Sequence, residues 1–235
     1  MKKLHSSTVQ TYIDEHPIHQ LFSFDIMPFL EIHQFKQGEF IFQELSKPDF
    51  LYYVIDGRAK VYMTQENGKV ALINFIGEGA FIGELELLQN SFFSKGVQTT
   101  TELTCFAIPV HAIHESVRAD AHFLRLLCAY LSHKASMHSS RFAQGLSFPL
   151  ENRLAEFILL SSNEGVYNEK HTEVCEFLGV TYRHLLFVLA QFVDDGLLTK
   201  DGRKYIIHDE SELSKMATTT QRLDFTLLDL LEVEH

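Results

Sequence analysis

The rhythm of apolar residues changes once along this chain, from short glycine-punctuated strands to helical repeats, and that change narrows the folds open to it. Between Phe35 and Ile108 the apolar runs are Glu39-Phe40-Ile41-Phe42, Phe50 to Ile55, Ala59 to Thr64, Val70 to Ile76 and Leu103 to Ile108. All are rich in aromatic and β-branched residues. Between them stand Gln37-Gly38, Asp56-Gly57, Asn67-Gly68 and Gly77-Glu78-Gly79. Asn-Gly tolerates positive φ at both central residues and so marks a tight hairpin. Strands this short and regular predict a rolled or closed antiparallel sheet.

The second rhythm is helical. Leu124, Cys128, Leu131, Ala135, His138, Phe142 and Gly145 recur at alternating intervals of four and three, a heptad seam. A helix that covers a small β-domain with one stripe still has this second stripe to bury. Another copy of the same helix is the simplest partner, which makes Leu124, Cys128, Leu131, Ala135, His138 and Phe142 candidate homodimer contacts; an intrachain core helix is the alternative. Ser147-Phe148-Pro149 ends the helix and starts the next, Leu150 to Ser161, with proline suited to a first helical position.

The pattern that follows is the most informative. His171 to Leu178 reads as one helix, Gly179 as a turn and Thr181 to Val193 as a second helix. Cys175, Gly179, Leu185 and Val188 have the spacing of a helix-turn-helix: a small residue for close approach, a glycine for the sharp turn, two apolar residues to lock the helices together. Thr181 is placed to cap the second helix, so Tyr182, Arg183 and His184 project from its first turn, where this motif meets the major groove. An arginine there can read guanine, while hydroxyls suit phosphates. Leu197-Leu198-Thr199 and Tyr205-Ile206-Ile207 then flank Lys200-Asp201-Gly202-Arg203-Lys204, a hairpin with a basic tip. Such a wing is expected to lie along the DNA backbone. The candidate DNA-binding residues are Lys170, His171, Thr181, Tyr182, Arg183, His184, Lys200, Arg203 and Lys204.

Composition sets limits on this reading. A net charge of −11 argues against attachment to nucleic acid through a basic body, so a DNA reader here needs a local positive edge and a specific site. The N-terminus lacks the apolar segment of a secretory signal, and no apolar run reaches the roughly 20 residues that cross a bilayer. Three scattered cysteines fit a reducing cytoplasm. No nucleophile elbow, phosphate-cradling loop or zinc-binding His-Glu-x-x-His occurs, so an enzyme is not expected.

These residues together resemble the Crp/Fnr family of bacterial regulators, from about Phe35 to Ile207. The resemblance in the first half rests on Phe40-Ile41-Phe42, Leu51 to Val61, Gly68-Lys69 and above all Gly79-Ala80-Phe81-Ile82-Gly83-Glu84-Leu85. Leu131-Ser132-His133-Lys134, Ser147 to Ser161 and Tyr182 to Leu198 are similar to its YeiL-type branch. The resemblance implies an α+β fold: an N-terminal antiparallel β-roll of jelly-roll type, a long central dimerisation helix and a C-terminal winged helix-turn-helix. The expected boundaries are 1–110 for the effector-sensing roll, 111–147 for the helix, 148–210 for the DNA-binding domain and 211–235 for a helical extension. It also implies a cytoplasmic homodimer on an inverted-repeat DNA operator, with RNA polymerase a further candidate partner.

By the same resemblance, the effector is expected near Gly83, Glu84, Leu85, Ser94, Lys95, Gly96 and Val97, with His138 and Ser139 from the central helix. His138 is equally readable as a polar seam residue that sets register. Members that bind cyclic AMP hold its phosphate with an Arg-Ser pair. The matching loop here reads Phe92-Phe93-Ser94-Lys95-Gly96-Val97, and lysine lacks the bidentate fork of arginine. Cyclic AMP is therefore not the expected effector; another small molecule, or none, is. Iron–sulfur members carry N-terminal cysteines, whereas the first cysteine here is Cys105. No cofactor or metal is expected, and the His16/His19 and His111/His114 pairs read as surface histidines. In the reader helix, Phe187 stands where DNA-binding members often place a further arginine, so the usual operator is not expected. A sensory module with a vestigial DNA-binding half is the competing reading.

Overall fold

Strand β4 (Phe50–Asp56) explains the layering of the N-terminal half, because its sequence FLYYVID is apolar without alternation. Leu51, Tyr53 and Ile55 face one hydrophobic cluster, while Tyr52 and Val54 face another. A strand buried on both faces has no polar side to show, hence the continuous run.

The computed structural model describes residues 1–4, 7–68, 70–88, 94–217 and 226–233. The remaining strands of this half are β1 (Lys2–Lys3), β2 (Glu31–Phe35), β3 (Phe40–Phe42), β5 (Ala59–Thr64), β6 (Val70–Ile76), β7 (Phe81–Ile82), β8 (Gly96–Thr99) and β9 (Leu103–Pro109). They form two sheets, of order β1-β2-β9-β4-β7 and β3-β8-β5-β6. Strands β4 and β9 pair antiparallel with Tyr53 opposite Phe106, and β5 and β8 do so with Val61 opposite Val97. Phe42, Ala59 and Val97 of one sheet share a core with Phe35, Tyr52, Val54 and Cys105 of the other, which closes the roll.

Helices α1 (Ser7–Ile13), α2 (Glu84–Leu88), α3 (Val110–Ala119) and α4 (Ala121–Ser147) complete the connection to the C-terminal half. Against the outer face of β4 and β9 pack Ile13, Ile113, Val117, Phe123, Leu126, Leu127 and Tyr130. Asp120 caps α4: its Oδ1 accepts from the backbone N–H groups of His122 and Phe123, both at 3.1 Å, and Oδ2 accepts from Ser23 N–H at 2.7 Å. Burial would push this carboxyl up, but those donors outweigh it and hold it below its usual value. Glycine is required at Gly57, where φ is +94° and an added Cβ would sit 2.1 Å from the Glu102 carbonyl oxygen.

The C-terminal half carries α5 (Leu150–Ser161), β10 (Val166–Tyr167), α6 (His171–Leu178), α7 (Tyr182–Asp194), β11 (Leu198–Asp201), β12 (Lys204–Ile207), α8 (Glu210–Met216) and α9 (Asp229–Val233). Its sheet has the order β10-β12-β11. Leu154, Phe157, Val174, Leu185, Val188, Phe192, Leu198 and Tyr205 form its core.

The fold divides into two units, one of Met1–Met63, Ile76–Ala135 and Leu223–His235, the other of Thr64–Phe75 and Ser136–Arg222. Leu72 and Phe75 group with the second, Phe75 meeting the ring of Phe157 at 5.6 Å. Leu227 is buried in the first unit, where Leu228, Leu230 and Leu231 also pack; Leu223 lies outside the described residues. Among described residues, no helix is long and apolar enough to cross a membrane.

Several expectations need correction. Strand β3 starts at Phe40, because the Glu39 N–H is spent closing the preceding turn onto the Lys36 carbonyl at 3.1 Å. His16 and His19 are half-buried rather than on the surface, with Ile18 between them fully buried. The effector loop is not loop throughout, since Gly96 and Val97 belong to β8.

Candidate nucleic-acid interface and effector site

Helix α7 is built to present its first turn. Leu185, Val188, Leu189 and Phe192 are buried, which turns the opposite face outward. Thr181 has extended backbone and its hydroxyl accepts the N–H of His184 at 3.3 Å, satisfying an otherwise orphaned helix donor. Gly179 ends α6 in the left-handed region at φ 65°, the bend between the two helices. Arg153 of α5 donates from Nη1 to the Leu178 carbonyl at 2.6 Å and so caps the C-terminus of α6.

The nine predicted DNA-binding residues fall on this one unit. Lys170, Thr181, Tyr182, Arg183, His184, Lys200, Arg203 and Lys204 are all exposed, and His171 is half-buried. His171 ties three elements together, its ring centroid 6.0 Å from that of Tyr182 and 6.1 Å from that of Tyr205. Burial pushes the His171 pKa down and the positive Lys200 adds to the shift. Lys170 lies 3.2 Å from Glu173 while keeping most of its side chain in solvent. The wing turns at Gly202, with Asp201 paired to Lys204 and Lys200 to Tyr205. His208 and Thr199 share a 2.6 Å hydrogen bond across the same hairpin.

The expected effector residues are less uniform. Gly83 and Glu84 are buried and Leu85 is exposed. Glu84 accepts from Lys134 Nζ at 2.6 Å. Burial alone would lower the Lys134 pKa, but Glu84 and Tyr130 outweigh it and raise it, keeping the ammonium charged. Ser94 is buried with its hydroxyl donating to the Gln43 and Ser46 carbonyls, at 2.9 and 2.8 Å. That commits its proton to the roll's own backbone. Gly96 is pressed by the Tyr62 ring, 2.0 Å from an added Cβ. Lys95 is half-buried. Phe92 and Phe93 lie outside the described residues. His138 and Ser139 are exposed on α4 in the other unit. Sequence reasoning missed Lys134 as a partner of Glu84, because the two are 50 positions apart and share no local pattern.

On the seam of α4, Phe142 is 74% exposed, Cys128, Ala135 and His138 are exposed, and Leu124 and Leu131 are half-buried. The stripe that meets the first unit's core is a different one, of Phe123, Leu126, Leu127 and Tyr130. Among the described residues, no group of three or more His, Cys, Asp or Glu could hold a metal ion.

The comparisons with known proteins agree with this arrangement. Residues 32–120 match the cyclic nucleotide-binding domain and residues 152–216 the Crp-like helix-turn-helix domain. The regulatory protein YeiL of Escherichia coli O157:H7 is 44% identical over 193 residues, covering 82% of this chain and 88% of that protein. Among solved structures, a candidate crp/fnr-family transcriptional regulator from Eubacterium rectale superposes with a TM-score of 0.68 at 16% identity, over 83% of this chain and 92% of that one. A CRP/FNR-family transcriptional regulator from Thermus thermophilus gives 0.63 at 20% identity, over 81% and 100%. A β-roll followed by a capped reader helix and a basic wing, joined to a sequence this similar to a known regulator, places the chain in the Crp/Fnr family of DNA-binding transcriptional regulators.

Proposed function

We propose that the chain acts as a cytoplasmic homodimer that binds an inverted-repeat operator and answers to a small effector other than cyclic AMP, or to none. The observation that carries this reading is the exposed first turn of α7, with Arg183 outward, together with an exposed hairpin tip in the same unit bearing Lys200, Arg203 and Lys204. Arg183 is assigned to a base edge and the wing cations to phosphates. The rest of the chain is acidic, at net −11, so this local edge must supply the attraction and the base contacts the residence time. The seam of α4 is the assigned dimer face, which favours half-sites about one helical turn apart. RNA polymerase remains the further partner this role calls for. The reading needs no catalytic group, metal or iron–sulfur cluster.

The test is selection of bound duplexes from a random pool, with the wild type beside Arg183→Ala and Lys204→Ala. Arg183→Ala should relax one base position per half-site at a cost of about 1–3 kcal/mol. Lys204→Ala should weaken all sequences alike and flatten the salt dependence. If Arg183→Ala keeps the full motif while Lys204→Ala changes it, the roles are misassigned. A wild type that selects no motif favours the sensory module with a vestigial DNA-binding half.

A further inference from the structure

The outward face of α7 is not the polar surface that a phosphate-tracking helix needs. Phe187 is 66% exposed, Tyr182 51% and Leu186 36%. With Leu185, Val188, Leu189 and Phe192 turned to the core, the 100° step of the helix puts Arg183 and Phe187 at the centre of the opposite face. They are four residues apart, so they are neighbours on one face, about 6 Å apart along the helix axis. Isolated exposed apolar residues are ordinary, but Phe187 stands at the centre of the outward face beside Arg183, with Leu186 and Tyr182 toward its edge. Arg183 adjoins Phe187 on this face, and the wing of the same unit carries Lys200, Arg203 and Lys204, all exposed. Charge complementarity of that kind fits a polyanion whose surface also offers apolar groups.

Resting on the DNA-binding reading above, we infer that Phe187 is a specificity residue that packs on the C5 methyl of a thymine, within about two base-pair steps of the base read by Arg183. Only thymine carries a methyl into the major groove, and a phenyl ring has no donor or acceptor with which to read any other base-edge feature there. Truncation of Phe187 should leave the fold intact, because its side chain adds little to the core formed by the other face of α7.

The experiment takes duplexes selected by the full-length wild type and replaces each thymine of the half-site in turn by uracil, which removes only the methyl. Binding is read by fluorescence anisotropy. One uracil in one half-site should weaken the wild type about fourfold, the worth of one buried methyl-sized group. Phe187→Ala should bind thymine and uracil duplexes alike while still discriminating the base read by Arg183. Phe187→Arg should exchange the thymine preference for guanine. The inference is overturned if the wild type is indifferent to every uracil, if no thymine lies within two steps of the Arg183-dependent base, or if Phe187→Ala keeps the uracil penalty. A wild type that selects no motif removes the DNA reading itself, and the inference with it. The uracil scan on unaltered protein can overturn the inference even if a variant misfolds, and Phe187→Leu, which keeps an apolar side chain, then serves for the assignment to Phe187.

Discussion

Lys134 of α4 sets its ammonium 2.6 Å from the carboxylate of Glu84 in α2 and 5.1 Å from the centroid of the Tyr130 ring. Tyr130 in turn accepts the Phe81 N–H at 3.3 Å, so the glycine turn before α2 and the central helix are held by one polar chain. Glu84 is the acid that the family resemblance offers to an effector, yet here it has an internal partner. Any effector that uses this carboxylate must share it with Lys134 or displace it.

Breaking this pair from one side should be costly. Lys134→Met leaves a carboxylate whose side chain is 6% exposed without its cation. The expected loss is about 3 kcal/mol, the low end for a broken buried pair, because Lys134 itself is 29% exposed. Adding Glu84→Gln to Lys134→Met should recover most of that loss, since no unpaired charge then remains. Urea unfolding of the three proteins checks this; a single variant with the wild-type midpoint would show that the pair does no structural work.

How much of this was legible in the sequence follows from how local each pattern is. Helices α6 and α7 and the wing are local designs, written in Gly179, Thr181, the apolar positions Leu185 and Val188, and the Gly202 turn, and the structure places them where those residues direct. β2 was illegible because its sequence EIHQF looks half polar. Its His33 is in fact buried, with Glu31 3.0 Å from Nε2 and the Tyr52 hydroxyl 3.4 Å from Nδ1. The contact of His33 with Tyr52, from β2 to β4, leaves no trace in periodicity, and neither does the pair of Lys134 with Glu84. The Asp120 cap was legible in principle, as an aspartate directly before an apolar helical run.

The seam of α4 yields a sharper dimer test than a substitution in its middle. Leu131 also packs against the first unit's core, so a charge there would disturb fold and interface together. Phe142 is 74% exposed and contributes little inside one chain. Phe142→Asp should therefore leave the thermal unfolding of the monomer unit unchanged and produce monomers in sedimentation, because charges facing each other across a buried seam cost several kcal/mol. Cys128, exposed on the same seam, should cross-link two chains under mild oxidation, and Cys128→Ser should abolish the link. A dimeric Phe142→Asp protein would move the interface elsewhere.

Cyclic AMP should give no heat in calorimetric titration at micromolar concentration. The Ser94 hydroxyl already serves two backbone carbonyls, and Lys95 offers a point charge in place of the arginine fork. Tight binding that is lost in Lys95→Ala, together with a gain in DNA affinity, would reverse this and make Lys95 the phosphate contact.

Two histidines with depressed pKa values make the stability of the fold depend on pH. Burial pushes His33 down against the opposing pull of Glu31, and burial with Lys200 pushes His171 down. In the unfolded chain each takes a proton near its usual value of 6.5, whereas the folded protein resists until the pH is lower. Between those two points the unfolded state binds more protons, so stability rises with pH there. The stability that the neutral rings contribute is complete above about pH 6.5. It falls as the pH drops toward the folded-state values and levels off below them. The thermal midpoint should therefore be flat from about pH 8 to 7 and decline as the pH falls below about 6.5. His33→Gln keeps a donor for Glu31 but cannot titrate, so its decline should be shallower than that of the wild type. Equal slopes for the two proteins would mean that His33 does not carry the effect, and a midpoint that rises on acidification would reverse the sign argued for both rings.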